Sequence, residues 1–254
     1  MKRISAGIIF SALSGVISAA ALFVMCRFPE PVIFLSTVFV WWLLIIGAYW
    51  FFSFEKKHLF LHLATSITFV SLMSLVEWQP LVVLLIVLAI PLFGFVWHWV
   101  AEKSRHQTSL SYKSWRRVIM MLWVLNMYGW MTGLFSLLIF FQNISRVLVS
   151  ILGACFAAAV AAMVWHVYFE AEIKTFGFWM AIVALLVFEI IWVLYYLPLG
   201  YFTLGFVATW LWYLIHLFIR FRLTRGGIIW EKQRLFLGIN VCLFTFILYI
   251  ARWV

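Results

Sequence analysis

The sequence predicts an all-α fold, a polytopic integral membrane bundle of about nine transmembrane helices with the N-terminus cytoplasmic and the C-terminus outside. Three observations predict it. Of 254 residues, 67% are hydrophobic and only 10% charged, more apolar surface than a soluble domain keeps out of water. Apolar segments recur at about 6–26, 32–54, 58–76, 81–100, 118–141, 147–168, 176–197, 200–219 and 235–253, each close to the roughly 20 residues that cross a ~30 Å hydrocarbon core. The basic residues then sort by side under strict alternation. Lys2, Arg3, Lys56, Lys57, Lys103, Arg105, Lys113, Arg116, Arg117, Lys174, Arg220, Arg222, Arg225, Lys232 and Arg234 fall inside, whereas Arg27, Arg146 and Arg252 fall outside. Fifteen of 18 on one side is the asymmetry that sets membrane orientation, and dropping one internal span would scramble it.

Taken in order, the first segment follows Lys2-Arg3 and stays apolar to Met25. Its charged start and small residues resemble a secretory signal, but the apolar run is longer than such a signal carries, so a retained first span is expected. Ser11, Gly15 and Ala19 give it a small-residue seam. The second, fourth and eighth segments are preceded by Pro31, Pro80 and Pro198, at helix starts where a missing N–H costs nothing. Pro91 inside the fourth predicts a bend near Gly94. The fifth carries Gly129 and Gly133 as a G-x-x-x-G face, with Asn126 on the same side. The sixth carries Gly153, Ala157 and Ala161 on one stripe and Ala154, Ala158 and Ala162 on the next. Lipid is as apolar as leucine, so helices meet where backbones approach closely; spans 1, 5 and 6 are therefore expected inside the bundle. The alternative use of the span 6 alanine face is a homodimer seam.

The composition also excludes chemistry. All eight acidic residues are glutamate, so paired-aspartate proteolysis and aspartate-held magnesium sites are ruled out. Phosphate loops, nucleophile elbows and zinc-protease helices are missing as well. Cys26, Cys155 and Cys242 lie far apart in apolar runs and read as small packing residues. The net charge of +10 follows the loops, so no nucleic-acid partner is expected. The basic residues Lys103, Arg105, Lys113, Arg116, Arg117, Arg220, Arg222 and Arg225 instead suit anionic lipid on the cytoplasmic side, with Ala101–Arg117 lying as an amphipathic segment on the surface.

Of 16 tryptophans, those near segment ends (Trp50, Trp78, Trp97, Trp99, Trp115, Trp165, Trp230, Trp253) read as interfacial. Trp41, Trp42, Trp123, Trp130, Trp179, Trp192, Trp210 and Trp212 lie deeper, where each indole N–H needs a partner or a ligand alongside. His62, His98, His166 and His216 are the residues to test as haem ligands, although no cofactor or metal is expected, because histidine at a cytoplasmic boundary is ordinary amphipathic chemistry.

Glu189 stands apart, in the middle of the seventh segment, where an ionised carboxylate is costly and so paired or functional. With Trp192 and Tyr196 on its stripe it is expected to face an aromatic-lined interior and, with Asn126, to form a ligand-binding or proton-linked site. The leading function is non-enzymatic: a permease-like or lipid-accommodating multi-pass protein of a plasma or inner membrane, with a cavity near span 7. A second reading is an accessory, scaffold or sensor subunit whose membrane-protein partner docks on the basic loops. A third is a haem-dependent redox enzyme.

Overall fold

The computed structural model describes residues 2–52, 56–103, 110–169, 173–223 and 230–250. Among them are nine α-helices, one short 3-10 turn at Ile173–Phe176, and no strand. The helices are α1 (Lys2–Arg27), α2 (Pro31–Phe51), α3 (Lys56–Leu75), α4 (Gln79–Lys103) and α5 (Leu110–Phe140), followed by α6 (Arg146–Phe169), α7 (Gly177–Leu194), α8 (Tyr201–Leu223) and α9 (Trp230–Ile250). Seven, α2 to α8, are long and apolar enough to cross a bilayer; α1 and α9 contribute the shorter apolar stretches Ser11–Arg27 and Leu237–Ile247. The chain is a multi-pass membrane protein.

Two boundaries differ from expectation in ways that matter. Of the expected surface segment Ala101–Arg117, Ala101–Lys103 close α4 and Leu110–Arg117 open α5, while 104–109 lie outside the described residues. Good helix formers on both sides outlast the bilayer boundary, so α5, at 31 residues and ~46 Å, exceeds the ~30 Å core and carries Lys113, Arg116 and Arg117 on its first turns. Meanwhile α7 ends at Leu194, before the Tyr195-Tyr196 turn that leads to Pro198. Glu189 therefore sits five residues, ~7.5 Å, from the end of its helix rather than at its centre.

The chain divides into two compact units, Met1–Gly129 and Trp130–Val254, the division falling inside α5. In the first unit, α1 lies along α4. The expected seam on α1 is real: a Cβ at Gly15 would come within 3.1 Å of the Ile90 carbonyl carbon, and one at Gly94 within 3.1 Å of the Ser11 carbonyl oxygen. Two glycines thus bring two backbones together reciprocally. Gly94 serves this approach, and α4 runs on through Pro91 as helix. The α3–α5 seam uses Gly129, where a Cβ would lie 3.0 Å from the Thr68 Cβ. Beside it Thr68 Oγ1 donates to the Asn126 carbonyl (3.3 Å) and Asn126 Nδ2 donates to Thr65 Oγ1 (3.1 Å). Gly133, on the next turn, is half-buried.

In the second unit, α6 turns its small residues onto α7. Ala157 and Ala161 are fully buried, and Gly153 faces the Ile191 and Leu134 side chains. Ala154, Ala158 and Ala162, on the next stripe, are buried as well, and α6 packs along α7, whose buried face carries Val183, Val187 and Ile191. The sequence reading missed Gly205, where a Cβ would lie 2.8 Å from both the Cα and the backbone nitrogen of Thr132. Its signal was available as the Gly205–Ala208 pair three residues apart on α8.

Four of the deep tryptophans have polar partners, as an aromatic core requires, whereas the buried Trp130 Nε1 has none among the described residues. Trp41 Nε1 donates to Ser18 Oγ (3.3 Å), Trp42 to Ser66 Oγ (2.9 Å), Trp210 to Asn240 Oδ1 (2.8 Å) and Trp212 to the Ala157 carbonyl (3.1 Å). Trp97 and Trp165, expected at the interface, are buried, Trp165 donating to the His216 carbonyl at 3.4 Å. Hydropathy places a tryptophan along the membrane normal but not around the helix, which is why these two were misplaced. The three cysteines are exposed free thiols rather than packing residues, for the same reason.

Candidate functional site

The first unit holds a groove between α1 and α2. The Gly15 and Gly94 contacts draw α1 onto α4, so α1 meets α2 only loosely and a crevice stays open between them. One lobe, about 330 Å³, is bounded by Leu13, Ile17, Trp41, Leu44, Ala48 and Trp97; a second, about 350 Å³, continues along Ala20, Ala21, Val24, Thr37 and Val40. Ile17, Trp41 and Leu44 belong to both. From Leu13 to Val24 the groove follows α1 for ~17 Å, more than half of a ~30 Å hydrocarbon core.

Its walls are apolar by construction. The hydroxyls that could make it polar are turned to their own helices: Ser14 Oγ donates to the Ser11 carbonyl (3.2 Å), Ser18 Oγ to the Ser14 carbonyl (2.8 Å), and Thr37 Oγ1 to the Ile33 carbonyl (2.7 Å). The outer rims are open, with Leu13, Leu43 and Leu44 each more than half exposed.

Behind the wall lies a buried aromatic cluster. Trp41 packs on Phe93 (ring centroids 5.3 Å apart), and Trp97 packs on His62 (4.5 Å) and Tyr49 (5.0 Å). Tyr49 Oη and His62 Nδ1 are hydrogen-bonded at 2.7 Å, and His62 Nε2, fully buried, has no hydrogen-bond partner among the described residues. Trp41 and Trp97 thus separate the groove from a polar pair one side chain deeper. The sequence offered each residue but not their meeting, which needs α2, α3 and α4 to pack together.

The residues predicted to form one site fall in different units. Asn126 is buried in the first unit, its Nδ2 donating to Thr65 Oγ1 across α3–α5 while its Oδ1 has no hydrogen-bond partner among the described residues. Thr65→Val, which leaves the buried Nδ2 without its acceptor, is expected to destabilise the protein by about 1 kcal/mol in a reversible unfolding measurement in bicelles. Glu189, Trp192 and Tyr196 are in the second unit and share a stripe as expected, but the stripe faces outward: Leu185 is 61% exposed, Trp192 38% and Tyr196 63%, and Glu189 is exposed too. The buried face of α7 is the opposite one, Val183, Val187, Ile191 and Leu194. Stripe membership follows from the 3.6 period; which stripe faces in is decided by where the small residues of α6 are. On the inner side of α7, α6 closes tightly, with Gly153, Ala157 and Ala161 buried.

The haem candidates are distributed as His62 on α3 and His98 on α4 in the first unit, and His166 on α6 and His216 on α8 in the second. His62 uses Nδ1 on Tyr49, and the His216 ring is stacked on Trp212 at 4.8 Å. Among the described residues no three His, Cys, Asp or Glu side chains gather as metal ligands. Of the basic residues, Lys103 ends α4, Lys113, Arg116 and Arg117 open α5, and Arg220 and Arg222 close α8, with the Arg220 guanidinium 4.8 Å from the Tyr168 ring centroid; Arg105 and Arg225 lie outside the described residues. Comparison with protein-family models, with curated proteins and with solved structures finds no match.

Proposed function

We propose that this chain is a lipid-accommodating membrane protein that holds an acyl chain in the α1–α2 groove, in a plasma or inner membrane, with its basic helix ends on anionic cytoplasmic lipid. One observation carries the reading: a long crevice, open at its rims, whose serine and threonine hydroxyls are all spent on their own backbones. Such a wall offers nothing to a polar solute and matches a hydrocarbon chain, which fills it through dispersion and area burial alone. A permease reading needs convergent polar groups in the cavity. The nearest such groups, Tyr49 and His62, are bonded to each other behind Trp97.

Filling the groove tests it. With the protein in nanodiscs containing a photoactivatable fatty-acyl phospholipid, crosslinks are expected to concentrate on peptides bearing Ile17 and Leu44. Ala48→Phe together with Ile17→Phe is expected to lower those crosslinks at least about fivefold, since each added ring occupies volume the chain would take. Uniform labelling over all outward helix faces, unchanged by the double variant, would overturn the proposal. Melting of the variant within a few degrees of the parent shows that the loss comes from the groove.

A further inference from the structure

The outward stripe of α7 poses a chemical problem that no described residue of the second unit solves. Phe178, Ala181, Leu185, Glu189, Trp192 and Tyr196 follow one another at three- and four-residue spacing, all exposed. Within that stripe sit an acceptor, the Glu189 carboxyl group, and a donor, the Trp192 indole N–H, neither with a hydrogen bond among the described residues. An ionisable group in a membrane span almost always faces protein or water rather than lipid. Arg146, the cation at the start of α6, is engaged elsewhere, 4.2 Å from the Tyr195 ring centroid.

We propose that the α7 stripe is a dimerisation seam, pairing with the same stripe of a second copy of this chain so that Trp192 of each copy donates to Glu189 of the other. The stripe is complementary to itself. In a parallel two-fold pair, equivalent residues face each other, and an interface that carries both a donor and its acceptor satisfies both twice. The register suits it: Trp192 lies three residues, ~4.5 Å, beyond Glu189, an axial offset that a bulky indole and a flexible glutamate side chain can span between two helices in contact. A partner helix presenting lysine or arginine would answer Glu189 but leave the Trp192 N–H unmet. Lipid tails would answer neither. Phe188, stacked on Trp192 with ring centroids 6.1 Å apart, fixes the indole from the side.

The test uses the full chain in nanodiscs and native membranes. Single-molecule photobleaching is expected to count two copies per particle at low protein-to-lipid ratio. In a background with Cys26, Cys155 and Cys242 replaced, Leu185→Cys is expected to oxidise to a species of twice the 29.8 kDa chain mass, whereas Leu148→Cys, exposed on α6, is not. Glu189→Leu is expected to raise the dimer dissociation constant at least about tenfold, and Glu189→Gln, which still accepts from the indole, by less than about threefold. Both substitutions lie on an exposed position, so thermal melting of the separated monomer should match the parent. Single-step bleaching, equal oxidation at Leu148 and Leu185, a Leu185 crosslink to a different protein, or a Glu189→Leu dimer as tight as the parent would each overturn the seam.

Discussion

Gly205→Leu is expected to prevent the second unit from reaching its native packing. A Cβ there would fall 2.8 Å from the Thr132 Cα and backbone nitrogen, and a backbone, unlike the end of a flexible side chain, cannot step aside without moving α5 or α8. Gly15→Leu should act in the same way in the first unit, where the obstruction is the Ile90 backbone. Overpacking of this kind costs ~1–3 kcal/mol in ordinary cores and more where two helices must separate, against a total stability of about 5–15 kcal/mol. Gly47→Leu is the matched control, since nothing lies within 4 Å of a Cβ there. In detergent, Gly205→Leu and Gly15→Leu are expected to lose the monodisperse peak or to melt at least about 10 °C below Gly47→Leu. Equal melting of all three would mean that helix approach at these glycines does not hold the units together.

The second large effect concerns orientation, which rests on the distribution of lysine and arginine and is proposed with nine alternating spans. Single cysteines are placed in the cysteine-free background; the native thiols must go because all three are exposed. A cysteine at Asn143, in the exposed α5–α6 turn, is expected to react with an impermeant maleimide in intact cells. Cysteines at Ser109 and Thr224, next in sequence to the basic start of α5 and the basic end of α8, are expected to react only after permeabilisation. The contrast should exceed about tenfold, because the positive-inside bias fixes one topology rather than a mixture of two. Labelling at Ser109 with protection at Asn143 would invert the orientation. Labelling at both Asn143 and Thr224 in intact cells would break the alternation between them and end the nine-span count.

The sequence by itself determined the quantities that depend on position along one helix. Segment lengths, the proline starts at Pro31 and Pro198, the placement of lysine and arginine, and the close-packing roles of Gly15, Gly129, Gly153 and Ala157 could all be read, because a bilayer imposes them on each segment separately. Helix periodicity even put Leu185, Glu189, Trp192 and Tyr196 on one stripe. Tertiary structure decided the angle about each helix axis. Lipid and protein interior are equally apolar, so an apolar face carries no inward or outward label, and neither the outward face of Glu189 nor the burial of Trp97 and Trp165 could be read. The groove was illegible for the same reason: it exists because Gly15 and Gly94 pull α1 toward α4 and away from α2, an effect of two contacts far apart in sequence. Only the assembled unit shows which pairs of small residues meet, and in a membrane that pairing, rather than hydrophobicity, is what orients a helix.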